Sequence, residues 1–325
     1  MKILLRRILF LAAAMAAALG LLRVAAADDY PSHTVRIIDG FGPGSTPDLV
    51  SRLFGQWLSE HLGQPFVVEN RTGAGGNVAA ETVLAAPADG YTLLGCATAH
   101  AINASVYQKL DYNFLRDFTP AGGILRFPMV LLVNPAFPAT TFPEFIAYAK
   151  ANPGKVNVAS PGVGTPMHVA IEMLNMMAGI DLVHVPYRGA APGMTDVISG
   201  QVQAFIITLS TASGFIRAGK VRPLAVAGTA RSDVFPDIPR ISETLPGFDA
   251  ASWDGLCAPK GTPAAAIEKL NGNIRDALAD PSIKERIKNL GGETEPMSVA
   301  EFEKFVTDET AKWAKVVKFA NIKAE

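Results

Sequence analysis

Short β-rich runs alternate with helical segments along most of this chain, beginning at residue 35. Strands of about five residues that alternate with helices of about ten to fifteen are typical of α/β proteins with mainly parallel sheets flanked by helices. The predicted strands are 35–38, 66–69, 92–96, 130–134, 156–159, 183–185, 204–207 and 224–228. The predicted helices between them are 48–62, 75–86, 142–151, 166–179, 190–199 and 211–218.

A glycine-rich turn, residues 39–48, follows the first predicted strand and leads into the first predicted helix. Thr46 is predicted to cap this helix and Pro47 to be its first residue, because proline lacks the N–H that would be unpaired there. The free N–H groups and partial positive charge of such a terminus favour an anion. Since the turn contains no Lys or Arg, the backbone must supply most of the contacts to that anion.

The same order of strand, glycine-rich turn and helix recurs over residues 156–179. The second turn contains Gly162 and Gly164 and again ends in a capping residue, Thr165, followed by Pro166. Two anion-binding turns in two halves of one chain predict a ligand held between two lobes. A charged helical tail, 262–325, is predicted to cover the first lobe.

The first 27 residues have the pattern of a secretory signal. Lys2, Arg6 and Arg7 form a basic region, an apolar stretch covers 8–22, and an A-x-A cleavage site ends at Ala27. The alternative is an uncleaved membrane anchor, but the apolar stretch is shorter than the roughly 20 residues that a transmembrane helix needs. We therefore expect cleavage after Ala27 and a periplasmic mature protein.

The mature chain is predicted to be acidic and long enough for two domains. Residues 1–27 carry four of the 29 Lys and Arg residues and none of the 30 Asp and Glu residues, which leaves a net charge of −5. This charge argues against nucleic acid as a partner. The length suits two domains of ordinary size, each with its own core.

The two cysteines, Cys96 and Cys257, lie in apolar strand-like runs. In an exported protein they could form a disulfide. The alternative is two buried thiols that act as small hydrophobic residues, and the sequence favours this interpretation.

Motifs of common catalytic and cofactor sites are absent from the sequence. Neither glycine-rich turn completes a dinucleotide-binding motif, and the chain contains no P-loop and no G-x-S-x-G nucleophile motif. The five histidines lack the spacing of metal ligands. We therefore expect no enzyme activity, no cofactor and no metal.

A series of motifs in fixed order resembles the Bug (Bordetella uptake gene) receptors, the substrate-binding proteins of tripartite tricarboxylate transporters. The resemblance covers essentially the whole mature chain, and the order and spacing of the motifs are more specific than any one of them. In chain order the motifs include Tyr30-Pro31-Ser32, Gly73-Ala74-Gly75-Gly76-Asn77, Asp89-Gly90-Tyr91-Thr92, His100-Ala101-Ile102-Asn103, Asp117-Phe118-Thr119-Pro120, Asn152-Pro153-Gly154-Lys155, His184-Val185-Pro186-Tyr187-Arg188-Gly189, Pro236-Asp237-Ile238-Pro239 and Trp313-Ala314-Lys315-Val316-Val317.

The resemblance implies a monomeric periplasmic binding protein of the two-lobed, type II kind. Its first lobe would comprise 28–126 and 250–325, its second lobe 127–249, and the chain would cross between them near 125–129 and 248–255. Such a receptor closes on a small carboxylate, a di- or tricarboxylate or an aromatic acid, and delivers it to a membrane permease. The alternatives are an input protein for a periplasmic sensor kinase and an exported hydrolase.

By position, the resemblance also implies a set of ligand contacts. His168 could instead be a packed histidine, and Tyr187 a core residue with its hydroxyl satisfied. Asp48 is interpreted as a first-turn helix residue, because its charge would repel an anion. Trp253-Asp254 is interpreted as a wall of the cleft. The implied contacts are Phe41, Gly42, Pro43, Gly44, Ser45, Thr46, Thr98 and His100 in the first lobe and Gly164, Thr165, His168, Tyr187 and Thr208 in the second.

Two departures from the family pattern bear on the ligand. Pro47 stands where other members offer a hydroxyl and an N–H, and Ile207 and Thr208 stand where an Asp-Asn pair is common. The missing acid would otherwise pair with an ammonium group of the ligand. The departures therefore predict a carboxylate without an α-amino group.

Overall fold

The computed structural model describes residues 30–107 and 109–323. The predicted export signal, residues 1–27, lies outside the described residues. Within them, no helix combines the length and the apolar character that crossing a membrane requires.

The first sheet has six strands in the order β11-β4-β10-β3-β1-β2. β1 pairs parallel with β2 and with β3. β10 pairs antiparallel with β3 and β4, and β11 pairs antiparallel with β4. The strands are β1 Val35–Asp39, β2 Phe66–Asn70, β3 Thr92–Ala97, β4 Phe118–Phe127, β10 Ser252–Pro259 and β11 Glu293–Thr294. The helices of this part of the chain are α1 Thr46–Leu62, α2 Asn77–Leu84, α3 Thr98–Val106, the short α4 Phe114–Asp117, α9 Ala264–Ala279 and α10 Pro281–Asn289.

The second sheet has five strands in the order β7-β6-β8-β5-β9. The pairs of β6 with β7 and with β8 are parallel, and β5 runs antiparallel to both of its neighbours. The strands are β5 Met129–Val133, β6 Val156–Ser160, β7 Leu182–Pro186, β8 Ala204–Thr208 and β9 Arg222–Ala227. The helices are α5 Phe142–Ala151, α6 Pro166–Ala178, α7 Ala190–Ser199 and α8 Leu209–Arg217.

The sequence predicted no strand at β4 or β11, and it indicated β10 only as the strand-like run around Cys257. β4 contains Pro120, Gly122 and Gly123, which weaken a strand signal. The glycines are required because the sheet is tightly packed there: a Cβ on Gly123 would lie 3.1 Å from the Cα of Gly255 on β10. Register irregularities between β4 and β10 accompany this close approach.

The chain passes between the two sheets at two places. β4 ends at Phe127 and β5 begins at Met129, so Pro128 alone separates strands of different sheets. The second passage lies between β9 and β10. Pro128 lies within the predicted region 125–129, whereas the second passage covers residues 228–251 and overlaps the predicted region 248–255 only at its end. The crossings and the lobe boundaries stay a prediction.

Buried Arg126 connects the two passages. Its guanidinium contacts the carboxylate of Asp249 at 2.5 Å and that of Glu295 at 3.2 Å. Only 7% of the Arg126 side chain is exposed, so these two acids are its main compensation for lost hydration. The ion pairs fix the end of β4 against the segment that enters β10.

The C-terminal helix α11, Val299–Ala320, packs against helices of both sheets, α3 and α6. Its buried Trp313 and Val316 belong to one apolar cluster that includes Leu94 of the first sheet and Leu131 of the second. The prediction that the tail covers the first lobe alone is therefore incomplete, because the apolar face of this helix bridges both halves of the chain.

The preference for two free thiols is wrong, because Cys96 and Cys257 form a disulfide. Cys96 lies on β3 and Cys257 on the neighbouring β10, two register positions apart, since Cys96 pairs with Gly255 and Cys257 with Leu94. Their Cα atoms are 5.8 Å apart, within the usual range for a bridge. The 161 residues between them in sequence hid this adjacency.

Candidate ligand-binding cleft

A cavity of about 160 Å³ lies between the two sheets, lined by residues from both. Its walls are largely apolar, with a few hydroxyl groups and one carboxyl group. The lining residues are Phe41, Thr46, Pro47, Ala97, Thr98, Ala99, Pro166, Met167, Thr208, Ser252, Trp253 and Asp254.

Four helices begin at this cavity. α1 starts at Thr46, α3 at Thr98 and α6 at Pro166, and α8 follows its N-cap residue Thr208. The first N–H groups of a helix have no acceptor within the helix and carry a partial positive charge. No Lys, Arg or His is among the lining residues. The cavity therefore combines several positive helix ends without any cationic side chain.

The first glycine-rich turn is held in shape by carboxylates within it. The N–H of Phe41 donates to Asp39 at 2.9 Å, and the N–H of Gly44 donates to Asp48 at 2.9 Å. Asp48 also accepts from Asn70 at 2.7 Å and contacts Arg52 at 2.8 Å. These bonds keep the pKa of Asp48 low against the opposing effect of burial. Asp48 is thus a structural acid of the turn and does not line the cavity.

The turn leaves unsatisfied donors at the start of α1. The N-cap is Ser45, one residue before the predicted Thr46, and its side chain makes no capping bond. The buried Oγ of Ser45 has no hydrogen-bond partner in the described part of the chain. The N–H of Thr46 likewise has no acceptor among the described residues. Thr46 lines the cavity, whereas Ser45, the residue before it, is not among the lining residues.

Four of the thirteen implied contacts line the cavity: Phe41, Thr46, Thr98 and Thr208. The hydroxyl of Thr98 accepts the N–H of Trp253 at 2.6 Å, which ties α3 to strand β10. The hydroxyl of Thr208 lies 2.8 Å from that of Thr211. Both threonines therefore already have protein partners at the cavity wall. The implied contacts Gly42, Pro43 and Gly44 are exposed and lie outside the lining.

His100, another implied contact, is fully buried and does not line the cavity. Its Nδ1 accepts the N–H of Ala97 at 3.1 Å, and its ring stacks on Phe114. Burial lowers the pKa of His100 to about 4, so the ring is neutral at pH 7. His100 therefore lies in the core behind the cavity wall and holds the backbone of Ala97, which lines the cavity.

The implied contacts of the second glycine-rich turn bond mainly to one another. The Oγ1 of Thr165 accepts the N–H of His168 at 3.3 Å and donates to the carbonyl of Gly162 at 2.8 Å. The Nδ1 of His168 accepts the N–H of Gly164 at 3.1 Å. The cavity is lined here by the next residues, Pro166 and Met167.

His168 of α6 and His184 of β7 form a neutral stack beside this turn. The rings of His168 and His184 are 3.7 Å apart and nearly parallel. Burial lowers the pKa of His168 to about 4, and burial together with His168 lowers that of His184 to about 3. His184 Nε2 lies 2.6 Å from the Oγ of Ser160. Ser160 is fully buried and does not line the cavity, so this pair lacks the access of a catalytic nucleophile and base.

Tyr187 also has its hydroxyl satisfied within its own half of the chain. The hydroxyl donates to the carboxylate of Asp196 at 2.7 Å, and burial and this acid raise the pKa of Tyr187 to about 12. The ring packs beside Gly193, where a Cβ would lie 3.2 Å from it. Tyr187 is not among the lining residues.

The sequence predicted the general position of Asp254 but not its chemical environment. Asp254 is the one ionisable side chain among the lining residues and is only 4% exposed. Burial, and to a lesser degree the charge of Asp39, raise its pKa well above the ordinary value. The interpretation of Trp253-Asp254 as a wall of the cleft located the segment but not this chemistry, because the depth of β10 depends on the whole sheet.

The other lining residues outside the implied set are Pro47, Ala97, Ala99, Pro166, Met167 and Ser252.

Comparisons with known proteins agree with the two-sheet architecture. The model of the tripartite tricarboxylate transporter family receptor matches residues 50–322. BugT of Bordetella pertussis is 33% identical over 302 residues, which are 92% of this chain and 93% of BugT.

Two solved structures from Rhodopseudomonas palustris are similar over nearly their full length. Rpa4515 with adipate is 35% identical with a TM-score of 0.78, over 90% of this chain and 99% of that one. MatC (Rpa3494) with bound malate is 33% identical with a TM-score of 0.74, over 89% of this chain and 100% of that one. The resemblance is thereby confirmed: this chain belongs to the Bug receptors of the tripartite tricarboxylate transporter family and has the α/β, two-lobed fold of a periplasmic binding protein.

Proposed function

We propose that this protein is an exported receptor that captures a small carboxylate between its two lobes and delivers it to a tripartite tricarboxylate transporter permease. The observation that carries the proposal is the convergence of four helix N-termini on one cavity that has no cationic side chain. Such a site favours an anion through backbone dipoles and N–H groups. A carboxylate matches it because each of its oxygens accepts several hydrogen bonds.

The cavity favours a short aliphatic acid. Its volume of about 160 Å³ is below the roughly 300–1,000 Å³ of pockets for drug-sized ligands. Apolar walls from Phe41, Ala99 and Met167 suit a methylene chain between polar ends. Adipate and malate, found with the two similar Rhodopseudomonas palustris proteins, fit this description. We propose a dicarboxylate of this size, without an α-amino group, ahead of a tricarboxylate or an aromatic acid.

Closure of the lobes would provide the capture step. In this proposal the first lobe comprises 28–126 and 250–325, the second comprises 127–249, and the signal is removed after Ala27. Closing around the anion excludes water and strengthens each polar contact to it. The single residue Pro128 between β4 and β5 makes this passage a short hinge.

A ligand screen tests the proposal directly. Mature protein is heated with adipate, malate, succinate, aspartate, citrate or benzoate, and hits are measured by isothermal titration calorimetry. A ligand at about 100 times its dissociation constant should stabilise the fold by about 2.7 kcal/mol, which raises Tm by several degrees.

The matched control is the neutral diamide of each hit. It keeps the shape of the acid but lacks the charge that the helix termini favour, so it should bind at least 10-fold more weakly. If no acid raises Tm, or if the diamides bind as tightly as the acids, the proposed function is wrong. Ligand-dependent retention of the receptor on membranes that contain the permease, against membranes without it, tests delivery.

A further inference from the structure

Asp254 is a buried acid that lines the proposed ligand cavity. Its carboxyl group has no hydrogen-bond partner among the described residues. Asp254 lies on β10, where it pairs with Ala97 of β3 and Leu125 of β4. Its side chain is 4% exposed, and what exposure it has is to the cavity. An ionised carboxylate here would have lost its hydration without gaining a donor. It would also repel the anion that the four helix termini favour.

Asp39 is the nearest acid and differs from Asp254 in its donors. Its carboxylate accepts from the hydroxyl of Ser51 at 2.7 Å and from the N–H of Phe41 at 2.9 Å. These bonds oppose the effect of burial on the pKa of Asp39, whereas no protein donor opposes it at Asp254. When one of the two acids must carry a proton, the geometry places that proton on Asp254.

Arg126, Arg52 and His100, three titratable groups on the elements around β10, are already paired or neutral. The guanidinium of Arg126 contacts Asp249 and Glu295, and Arg52 contacts Asp48. His100 is buried and neutral. The titratable groups on the elements packed against β10 are Asp48, Arg52, Glu60 and His61 on α1, Glu81 on α2, His100 on α3 and Arg126 on β4, and the charge of Asp39 on β1 also acts on Asp254.

We propose that Asp254 carries its proton when the cleft is occupied and that its neutral carboxyl donates a hydrogen bond to a carboxylate oxygen of the solute. This inference rests on the proposed function and adds a specificity-determining residue to it. A protonated carboxyl supplies an O–H donor at a site that has no Lys or Arg. An O–H···O⁻ bond of this kind is short and stronger than a neutral one. The same proton removes the partner that a ligand ammonium group would need.

Calorimetry on the full mature protein tests the bond. The titrants are succinate and aspartate, which share a skeleton and differ by the amino group, with the tightest acid of the screen as a third. Asp254→Asn keeps a donor and should bind the acid within about threefold of wild type. Asp254→Ala removes the donor and should weaken binding about 10- to 100-fold, as expected for a hydrogen bond to a charged group. Asp237→Asn, at an exposed position, is the control for the loss of one acid.

The pH dependence separates a proton donor from a merely polar wall. Wild-type affinity should fall as the pH rises from 6 to 9, whereas Asp254→Asn should show a flat profile. In protein saturated with the tightest acid, infrared spectroscopy should show the C=O band of a buried protonated carboxyl that Asp254→Asn removes.

Several results overturn this inference. These are wild-type affinity in Asp254→Ala, an unchanged pH profile in Asp254→Asn, absence of the infrared band, and tight aspartate binding that Asp254→Asn abolishes. The last result would mean that an ionised Asp254 pairs with an ammonium group. If acids bind but the variants behave like wild type, this inference alone fails. If no acid binds, the proposed function fails and takes this inference with it.

Discussion

The turn at 39–48 and the turn at 160–166 have similar sequences but different hydrogen-bond arrangements. In the second turn, the side chains of Thr165 and His168 bind the backbone of the same turn, including the N–H of His168, the third residue of α6. In the first turn the N-cap Ser45 makes no capping bond and its hydroxyl is unpaired. The first turn therefore leaves donors for a ligand, whereas the second mainly positions Pro166 and Met167 at the wall.

The difference arises from residues outside the shared pattern. Asp48 orients the first turn from within the helix and is itself held by Asn70 and Arg52. In the second turn His168 occupies the position of Asp48, four residues after the glycine whose N–H it accepts, so a neutral ring stands where the first turn has a charged anchor. A glycine-rich turn before a helix thus indicates a possible anion site. Whether a given turn can bind an anion depends on how many of its N–H and O–H donors lack protein acceptors.

Removing the anchor of the first turn should have the largest effect. Asp48→Ala leaves the N–H of Gly44 and the amide of Asn70 without their acceptor, and each lost bond costs about 1–3 kcal/mol. We expect the free energy of unfolding to fall by about 3 kcal/mol in urea denaturation, together with weaker carboxylate binding. Asp237→Ala, at an exposed position, should change neither. A loss below about 1 kcal/mol in Asp48→Ala would contradict the role of this acid as an anchor.

Replacing Thr46 by proline should separate the backbone donor from the rest of the first turn. Proline is tolerated at the first helical position, and the extended backbone of Ser45, with ψ 159, suits a residue before proline. Thr46→Pro removes one N–H at the cavity and should weaken carboxylate binding about 10- to 100-fold in calorimetry. Thr46→Ala keeps the N–H and should bind within about threefold of wild type. Equal losses in the two variants would show that the hydroxyl, not the amide, is the donor.

Acid should destabilise the second turn before the first. His168 has a pKa of about 4 in the folded protein, below the value of about 6.5 in an unfolded chain. Between these values the unfolded state binds more protons, so stability is lost as the pH falls from about 6.5 towards 4. The pKa of Asp48 is lowered instead, and its contribution is lost only below about pH 4.

Urea denaturation at pH 7 and pH 5 measures this contribution. His168→Asn keeps an acceptor for the N–H of Gly164 but removes the titrating ring. We expect it to lose about 1–2 kcal/mol less than wild type between the two pH values. His100→Asn serves as a comparison, since that buried ring titrates in the same range but lies in the first half of the chain. An identical pH dependence in His168→Asn and wild type would contradict the burial of a neutral ring at the second turn.

Much of the fold follows from local sequence signals, and the unpredicted parts depend on long-range contacts. α5 and α7 were predicted with their observed bounds because a helical period and clear terminators coincide there. β4 was missed because Gly122 and Gly123 look like a loop until β10 lies against them. The disulfide was missed for the same reason, since only the pairing of β3 with β10 brings the cysteines together.

For the candidate site, too, local sequence signals were predictive and long-range contacts were not. The sequence predicted an anion at the first helix terminus, and Thr46 does line the cavity. It could not predict that His100 lies in the core or that Asp254, placed at the cleft wall, is buried without a hydrogen-bond donor among the described residues, because burial depends on how β10 sits between β3 and β4. Resemblance placed the expected contacts on turns and strand ends near the cavity, whereas the orientation of each side chain needed the packed structure.

The smallest predicted effect distinguishes the two caps. Thr165→Ala removes a hydroxyl that accepts the N–H of His168 and donates to Gly162, and the loss of such a cap costs about 1 kcal/mol. Ser45→Ala removes a hydroxyl that makes no capping bond, so unfolding should change by less than about 0.5 kcal/mol. Binding should respond in the opposite order, because the unpaired hydroxyl of Ser45 is available to the anion and that of Thr165 is not. Urea denaturation and calorimetry on both variants give four values, and a stability loss in Ser45→Ala as large as in Thr165→Ala would remove the distinction between a ligand-binding turn and a structural one.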